Sequence, residues 1–217
     1  MSPPVAELRN SLFARVHAAR FLLPIRRPPH CSCWYIQYAT LVLPINVGSR
    51  VNIRKTIDTD IPAVMDIYDS ARAFMRAHGN ATQWPEGTPS RAQLELDIAA
   101  DGSFVCETDG RIVATFAFLP GPDATYAQIE GEGWHGEGEY YVLHRVASNG
   151  CVHGVTAAMF AFAKARARML RIDTHEHNLP MQRAIVKAGF SRAGIIHLEN
   201  GDPRVAFDWI RAREEAR

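Results

Sequence analysis

The sequence has no long uninterrupted apolar run and almost no net charge. Its apolar stretch 31–44 contains Gln37 and Thr40 and is shorter than the roughly 20 residues that a membrane helix needs. The 24 basic and 23 acidic residues leave a net charge of +1, so no overall field attracts nucleic acid or a membrane surface. No internal repeat or low-complexity tract is visible. We therefore expect a globular protein without a nucleic-acid or membrane partner.

Cysteine is also scarce. The four cysteines, Cys31, Cys33, Cys106 and Cys151, lack the regular spacing of a disulfide framework. The N-terminus does not resemble a secretory signal, because its arginines recur throughout instead of preceding one apolar block. These features predict a reduced, cytoplasmic protein.

The first fifty residues differ in composition from the rest of the chain. They hold six arginines, six prolines, one acidic residue and no lysine, whereas the other 167 residues carry 18 basic and 22 acidic groups, a net charge of −4. Prolines interrupt each apolar patch, so we expect residues 1–50 to be a disordered extension. Four interpretations of this extension stay open: an organelle transit peptide, a tail for an acidic partner, a stretch without function, or a non-native segment, with translation starting near Val51. Residues 51–213 are the predicted folded domain.

From Val51 onward, the apolar residues alternate between strand spacing and helix spacing. Asp109-Gly110 and Asn200-Gly201 each separate two β-rich runs, which is the strongest short signal for a hairpin. The predicted strands are 51–57, 103–108, 111–119, 140–148, 170–175, 193–199 and 204–210, and the predicted helices are 60–79, 90–100, 154–168 and 179–188. Hairpins together with at least one parallel crossover predict the α+β class. We expect a single domain with a mixed, largely antiparallel central sheet flanked by about four helices.

The strand at 140–148 leads through a glycine-containing turn, Asn149 to Gly154, into a helix. Unpaired N–H groups at a helix N-terminus favour an anion, so this turn is a candidate phosphate site. It matches neither the Walker loop nor GxGxxG, and a dinucleotide site is not predicted. An ordinary strand-to-helix connection has the same pattern.

A second motif lies at 171–190, in RIDTHEHNLPMQRAIVKAGF. Asn178 follows a strand, Met181 comes three residues later, and Gly189-Phe190 ends the intervening helix, where Gly189 suits the C-terminal glycine position. Together with the preceding turn, this motif resembles the GNAT superfamily of acyl-CoA-dependent N-acyltransferases. The resemblance covers about Ile53 to Trp209.

The resemblance implies acetyl-CoA as co-substrate and no metal. The strand backbone would pair with the pantetheine amides, the turn would wrap the pyrophosphate with main-chain N–H groups, and Asn178 and Met181 would lie against the thiol arm. The implied cofactor-binding residues are Val146, Ala147, Ser148, Cys151, Val152, His153, Gly154, Val155, Thr156, Asn178 and Met181.

The sequence departs from the family pattern at two places. The usual turn has Arg or Gln, two residues, Gly, one residue, and then Gly or Ala; here Cys151 and Thr156 replace the first and last positions, and Gly154 matches. Many members carry a tyrosine in the last helix that protonates the departing thiolate, and the matching position is Ile185. The general acid is therefore elsewhere or absent.

The implied reaction is direct attack of a neutral amine on the thioester, which needs a base because an amine with a pKa of about 10 is protonated at neutral pH. The catalytic candidates expected to line the cleft are His144 first, and then Glu130, Glu132 and His175. His144 and Arg145 alternate across a strand, so either of them is equally explained as a structural residue of the sheet.

The run His175-Glu176-His177 does not predict a metal site, because adjacent side chains on an extended segment point to opposite faces. The loop 130–139 carries four glutamates that would favour a cationic amine if the loop borders the acceptor side, and it is otherwise a solvated loop. Trp84 and Trp134 are candidates for an aromatic wall around the acceptor or for plugs that pin two loops.

The leading hypothesis is an N-acetyltransferase that transfers acetyl from acetyl-CoA to a primary amine of a small molecule or protein. The alternative is a GNAT-fold module that binds or senses acyl-CoA with little or no turnover, which Ile185 and Cys151 keep open. A transferase acting on nucleic acid is disfavoured by the −4 charge of the domain. The sequence is compatible with a homodimer.

Overall fold

Seven strands form one sheet within residues 51–212, the part of the chain described by this computed structural model. The interpretations of residues 1–50 lie outside the described residues. The strands are β1 (Asn52–Lys55), β2 (Ser103–Thr108), β3 (Arg111–Pro120), β4 (Tyr141–Ser148), β5 (Met169–Thr174), β6 (Ser191–His197) and β7 (Pro203–Ile210). Their order in the sheet is β1-β2-β3-β4-β5-β7-β6. All neighbours are antiparallel except β4 and β5, which confirms the predicted α+β class with a largely antiparallel sheet.

The helices begin and end close to the positions that the sequence predicts. They are α1 (Ile61–Ala77), α2 (Arg91–Ala99), α3 (Val155–Arg166) and α4 (Leu179–Lys187). Ser90 caps α2 by accepting a hydrogen bond from the Gln93 N–H at 3.1 Å. Asp60 precedes α1 but does not cap it, because its carboxylate accepts from Arg54 at 2.6 Å. None of the helices in residues 51–212 is long and apolar enough to cross a membrane.

The two predicted hairpins are present. Asp109 and Gly110 both adopt positive φ, 51° and 71°, as the two-residue turn between β2 and β3 requires. Gly201, at φ 85°, lies in the turn between β6 and β7. These local signals set the pairing of β2 with β3 and of β6 with β7.

Helices cover both faces of the sheet. On one face, Met159 and Phe160 of α3 and Ile185 of α4 pack in the main core, with Leu143 and Phe207 from the sheet. On the other face, α1 and α2 pack against the sheet in a second cluster that includes Val64, Tyr68, Leu94, Val105 and Ala147. Because successive strand residues point to opposite faces, β2 and β4 contribute to both clusters.

Candidate active site

A cleft forms where β4 and β5 separate. Their parallel pairing ends with Leu143 and Ile172, although β4 continues to Ser148 and β5 to Thr174. The wedge between the two strand ends opens into a cavity of about 410 Å³, a size typical of small-molecule sites. Its walls also include the α1–α2 loop, the β3–β4 loop, the start of α4 and the β6–β7 hairpin.

A β-bulge in β4 lies at the point where the strands separate. The β3–β4 register shifts between Thr115 and Ala117, and Arg145 adopts a φ of 53°. A positive φ costs a non-glycine residue about 1–2 kcal/mol. The bulge is offset by two hydrogen bonds of 2.6 and 2.7 Å from the Arg145 guanidinium to Asp97 of α2, whose side chain is 4% exposed. Because of the bulge, His144 and Arg145 do not alternate across the strand as predicted, and both line the cavity.

His144 is held by a carboxylate from the β3–β4 loop. Its Nε2 lies 2.8 Å from Oδ2 of Asp123, and both side chains are about four-fifths buried. Asp123 is fixed in turn by the N–H and hydroxyl of Thr125, at 2.9 and 2.6 Å. The hydrogen bond from His144 is the main cause that lowers the pKa of Asp123 well below its usual range. An ionised carboxylate can only accept, so Nε2 carries the hydrogen and Nδ1 keeps a lone pair in the neutral ring.

A second carboxylate, Asp173 of β5, lies beside the other ring nitrogen. Its Oδ2 is 3.8 Å from His144 Nδ1 and accepts a hydrogen bond of 2.8 Å from the Tyr126 hydroxyl. Burial is the main cause that raises the pKa of Tyr126 well above 10, which keeps its hydroxyl a donor. Asp123 and Asp173 thus place one carboxylate near each ring nitrogen of His144.

The strand-to-helix turn after β4 presents a helix N-terminus. Gly154 precedes α3 with a φ of 80°, and a Cβ at this position would meet nothing within 4 Å, so space is open beside the turn. The first intrahelical bond is donated by Ala158 to the Gly154 carbonyl, which leaves the N–H groups of the first turn of α3 without an intrahelical acceptor. The Cys151 N–H bonds to Asn149 Oδ1 at 3.0 Å. This end of the site has the donors and the dipole that an anion requires.

Asn178 connects the start of α4 to the α1–α2 loop. Its Oδ1 accepts from the Met181 N–H at 3.2 Å, and its Nδ2 donates to Gln83 Oε1 at 2.9 Å. Both Asn178 and Met181 line the cavity, as does Val146 of the predicted strand. Ala147 and Ser148 pair with Thr115 and Ala114 on β3, and the predicted turn at 151–156 follows directly after the strand.

Three of the four predicted catalytic residues lie outside the cavity. Glu130 forms a β-bridge with Ile195 and an ion pair of 3.1 Å with His197, and with Glu132 it lines a separate depression beside β6. His175 is 8% exposed, its Nδ1 accepts from the His177 N–H at 3.1 Å, and burial lowers its pKa. None of the three lines the cleft as expected, because the two glutamates lie beside β6 and His175 is buried after the end of β5.

The two tryptophans and Ile185 also differ in whether they reach the cavity. Trp84 lines the cavity and packs edge-on against Tyr68, with ring centroids 5.6 Å apart. Trp134 instead pins the β3–β4 loop, because its Nε1 donates to the Tyr126 carbonyl at 3.1 Å and its ring stacks on Arg171. Ile185 is fully buried in the main core, so the position of the family tyrosine does not face the cleft. Within residues 51–212, no group of three or more His, Cys, Asp or Glu side chains is placed to hold a metal ion.

The polar side chains of the cavity that sequence reasoning missed include Asp123, Thr125 and Arg204. Asp123 and Thr125 lie in a loop without a spacing motif, and Arg204 lies within a β-rich run near the β6–β7 turn. No signal in the sequence distinguishes them from other turn or strand residues, since only the strand pairing brings them to the cleft.

Comparison with known proteins matches this chain to one family. The family model described as "Acetyltransferase (GNAT) family" matches residues 64–190. A GNAT-family acetyltransferase from Streptococcus agalactiae 2603 has a similar structure, with a TM-score of 0.68 and 27% identity over 75% of this chain and 96% of that one. A GNAT-family acetyltransferase from Listeria monocytogenes 4b F2365 has a TM-score of 0.54 and 18% identity over 74% of this chain and 95% of that one. The ribosomal-protein-S18-alanine N-acetyltransferase from Escherichia coli has a TM-score of 0.52 and 14% identity over 77% of this chain and 99% of that one. None of the curated proteins compared matches the sequence.

Proposed function

The chain belongs to the GNAT family of acetyltransferases, and we propose that it transfers an acetyl group from acetyl-CoA to the amine of a small molecule or protein. The observation that carries the proposal is the His144–Asp123 pair, set in the wedge between β4 and β5. A hydrogen-bonded histidine and carboxylate beside a small-molecule cavity are the groups that an amine acceptor needs for proton removal.

The residues of the wedge fit acetyl-CoA. Beyond Leu143, the edge of β4 that faces β5 is not paired with it, so the backbone of Val146 to Ser148 is available to an extended amide chain. The open space beside Gly154 and the N–H groups of the first turn of α3 suit the pyrophosphate. Asn178 and Met181 line the cavity and would contact the thiol arm. When bound, acetyl-CoA supplies the activated thioester.

His144 is the proposed general base. The acceptor arrives mostly as an ammonium ion, because its ordinary pKa is about 10, and it must lose a proton before it can attack. Nε2 of His144 is engaged by Asp123, so the proton is taken at Nδ1, directly or through a water molecule. Asp173 at 3.8 Å and Asp123 at 2.8 Å then stabilise the imidazolium. The proton held at Nδ1 is available to the leaving group, which matters because Ile185 offers none.

A thermal-shift titration of the full chain with acetyl-CoA, free CoA and NADH tests the cofactor. A ligand at 100 times its Kd adds about 2.7 kcal/mol of stability, which corresponds to a rise in Tm of roughly 5–11 °C for a protein of this size. We expect a saturable rise with the two CoA species and none with NADH. A thiol-release assay with a panel of amines then measures turnover.

The outcomes separate the two functional hypotheses. Thiol release that depends on an added amine supports the transferase. A shift with acetyl-CoA but no release with any amine favours the binding or sensing module. No shift and no release would contradict both.

A further inference from the structure

Arg204 of β7 is a buried guanidinium at the cleft. Its side chain is 5% exposed, it lines the cavity, and its Nη1 donates to the carbonyl of Pro203 at 2.9 Å. The carboxylate nearest to it within the described residues is that of Asp202, 3.8 Å from Nη2, which is too long for a hydrogen bond. Asp202 is itself half-exposed and accepts from Asn200 at 3.1 Å. A guanidinium has five N–H donors, so most of the hydrogen-bonding capacity of Arg204 is not used by a carboxylate of the domain.

Other arginines of the domain have a carboxylate or aromatic partner within it. Arg145 is paired with Asp97 at 2.6 Å, and Arg54 is paired with Asp60 at 2.6 Å. Arg171 stacks on two aromatic rings, those of Trp134 and Tyr140. A buried charge is costly without a partner, and for Arg204 that cost lowers the pKa through burial. The charges of Asp173 and Asp202 oppose this lowering of the pKa, and Arg204 lines the cleft, where a ligand can reach it.

The positions of Arg204 and His144 are related through Asp173. Asp173 pairs with Ala206 in the β5–β7 register, and Arg204 lies two residues from Ala206 on the same face. Diagonal neighbours on one face of a sheet lie roughly 7–8 Å apart. Since Asp173 is also 3.8 Å from the His144 ring, an acidic side chain separates the base from the guanidinium. A ligand in the cavity therefore meets carboxylates near its amine and a positive charge a few bonds further on.

We propose that Arg204 binds a carboxylate on the acceptor, so that the enzyme acetylates small amines that also carry a carboxylate, as amino acids do. This inference rests on the proposed acetyltransferase function and specifies its substrate class. The planar fork of arginine matches a carboxylate with two parallel hydrogen bonds, which a neutral carboxamide cannot reproduce. A cavity of about 410 Å³ accommodates an amine of this size.

Matched substrate pairs test the inference. The panel contains L-amino acids, β-alanine and 4-aminobutyrate, each with its carboxamide, and kcat/KM is measured by thiol release with the full chain. We expect at least one acid to exceed its carboxamide by about 10- to 100-fold, the effect of a charge-assisted hydrogen bond in a buried site. Arg204→Met should remove this preference, so that the ratio of kcat/KM for each acid to kcat/KM for its carboxamide falls toward one. Arg204→Lys should keep part of it.

Arg192→Met is the matched control, because Arg192 is exposed on β6 and does not line the cavity. It should leave the preference unchanged. The thermal shift with acetyl-CoA is measured for every variant, and an unchanged shift shows that the fold and the cofactor site are intact. If Arg204→Met does not fold, the decision rests on Arg204→Lys.

Three results would overturn the inference: an acid preference that is undiminished in Arg204→Met or in Arg204→Lys, carboxamides that react as fast as acids, or acetyl-CoA binding without turnover of any acid. Turnover of simple amines alone would leave the proposed function standing and remove the carboxylate site. Absence of both acetyl-CoA binding and thiol release contradicts the proposed function instead, so the two failures are distinguishable.

Discussion

Replacing Asp123 with asparagine should disable His144 without removing it. The carboxylate accepts from Nε2 at 2.8 Å and so fixes the hydrogen on that nitrogen, which leaves Nδ1 as the proton acceptor. An asparagine can present its amide N–H₂ to Nε2, and the hydrogen of the ring then moves to Nδ1. In that tautomer His144 cannot accept a proton from the amine. The side chain of Thr125 can keep its hydrogen bonds to the new amide oxygen, so the loop should retain its position.

The size of the effect follows from the role of the base. General-base catalysis contributes about 10²–10⁴-fold, or roughly 2.7–5.4 kcal/mol of transition-state stabilisation. We expect kcat/KM of Asp123→Asn to fall by nearly as much as that of His144→Ala. Asp123→Ala should retain more activity than Asp123→Asn, because water can accept the Nε2 hydrogen and restore the useful tautomer.

The pH dependence of stability has a definite sign. The pKa of Asp123 is lowered in the folded state, so its contribution to stability is present above its unfolded value of 3.8 and is lost as pH falls through the folded value. The difference in Tm between wild type and Asp123→Asn should therefore be largest above about pH 4 and close at lower pH.

Thermal melts from pH 2 to 8 and steady-state thiol release provide these measurements. The reasoning fails if Asp123→Asn keeps kcat/KM within about threefold of the wild type while His144→Ala loses it, since a wrong tautomer should cost about as much as a missing base. Equal activity of His144→Ala and the wild type would remove His144 from the reaction altogether.

Three further predictions concern the cofactor site and the bulge. Asp97→Ala breaks a buried ion pair and should cost about 3 kcal/mol, a fall in Tm of roughly 6–12 °C, whereas Glu95→Ala on the exposed face of the same helix should change stability by no more than about 0.5 kcal/mol. Equal melts for the two variants would contradict this reading of the bulge. Gly154→Asp puts a negative charge at the N-terminus of α3 and should abolish the thermal shift with acetyl-CoA, while Gly110→Asp, at a similar φ of 71°, should leave it intact. Asn178→Ala should lose about 1 kcal/mol as a helix cap but at least about tenfold in kcat/KM, and a collapse in Tm would show that Asn178 is chiefly structural.

The elements of the fold could be predicted because their signals are local. Asp109-Gly110 determines a turn by its own backbone preferences, and Ser90 caps α2 by accepting a hydrogen bond from the N–H three residues later. The β4-turn-α3 unit is equally local, so the position of the cofactor side follows from a short stretch of sequence. The bulge at Arg145 is different, because its positive φ depends on Asp97, 48 residues earlier in the chain. No pattern within β4 reveals it.

The acceptor side of the cleft depends on contacts between distant segments. Asp123 reaches His144 from a loop, and Arg204 reaches the cleft only because β7 pairs with β5. Glu130 and His175 have suitable chemistry and plausible positions along the chain, yet Glu130 is taken by a β-bridge to Ile195 and His175 bonds within its own turn. Residue type places His144 first, but it does not show that the other candidates fail to reach the cleft. Burial and partners separate them.

The same break in the sheet produces both halves of the site. Once β4 and β5 part after Leu143, the unpaired edge of β4 requires hydrogen-bonding partners, and an extended amide chain provides them without a further strand. The bulge at Arg145 turns His144 into the wedge, where Asp123 and Asp173 hold it. A base placed at the origin of the wedge is next to whatever occupies the cofactor edge, and the β6–β7 hairpin closes the opposite side. If the proposed function is correct, strand separation brings the cofactor and the acceptor together, and Arg204 of the β6–β7 hairpin selects the acceptor.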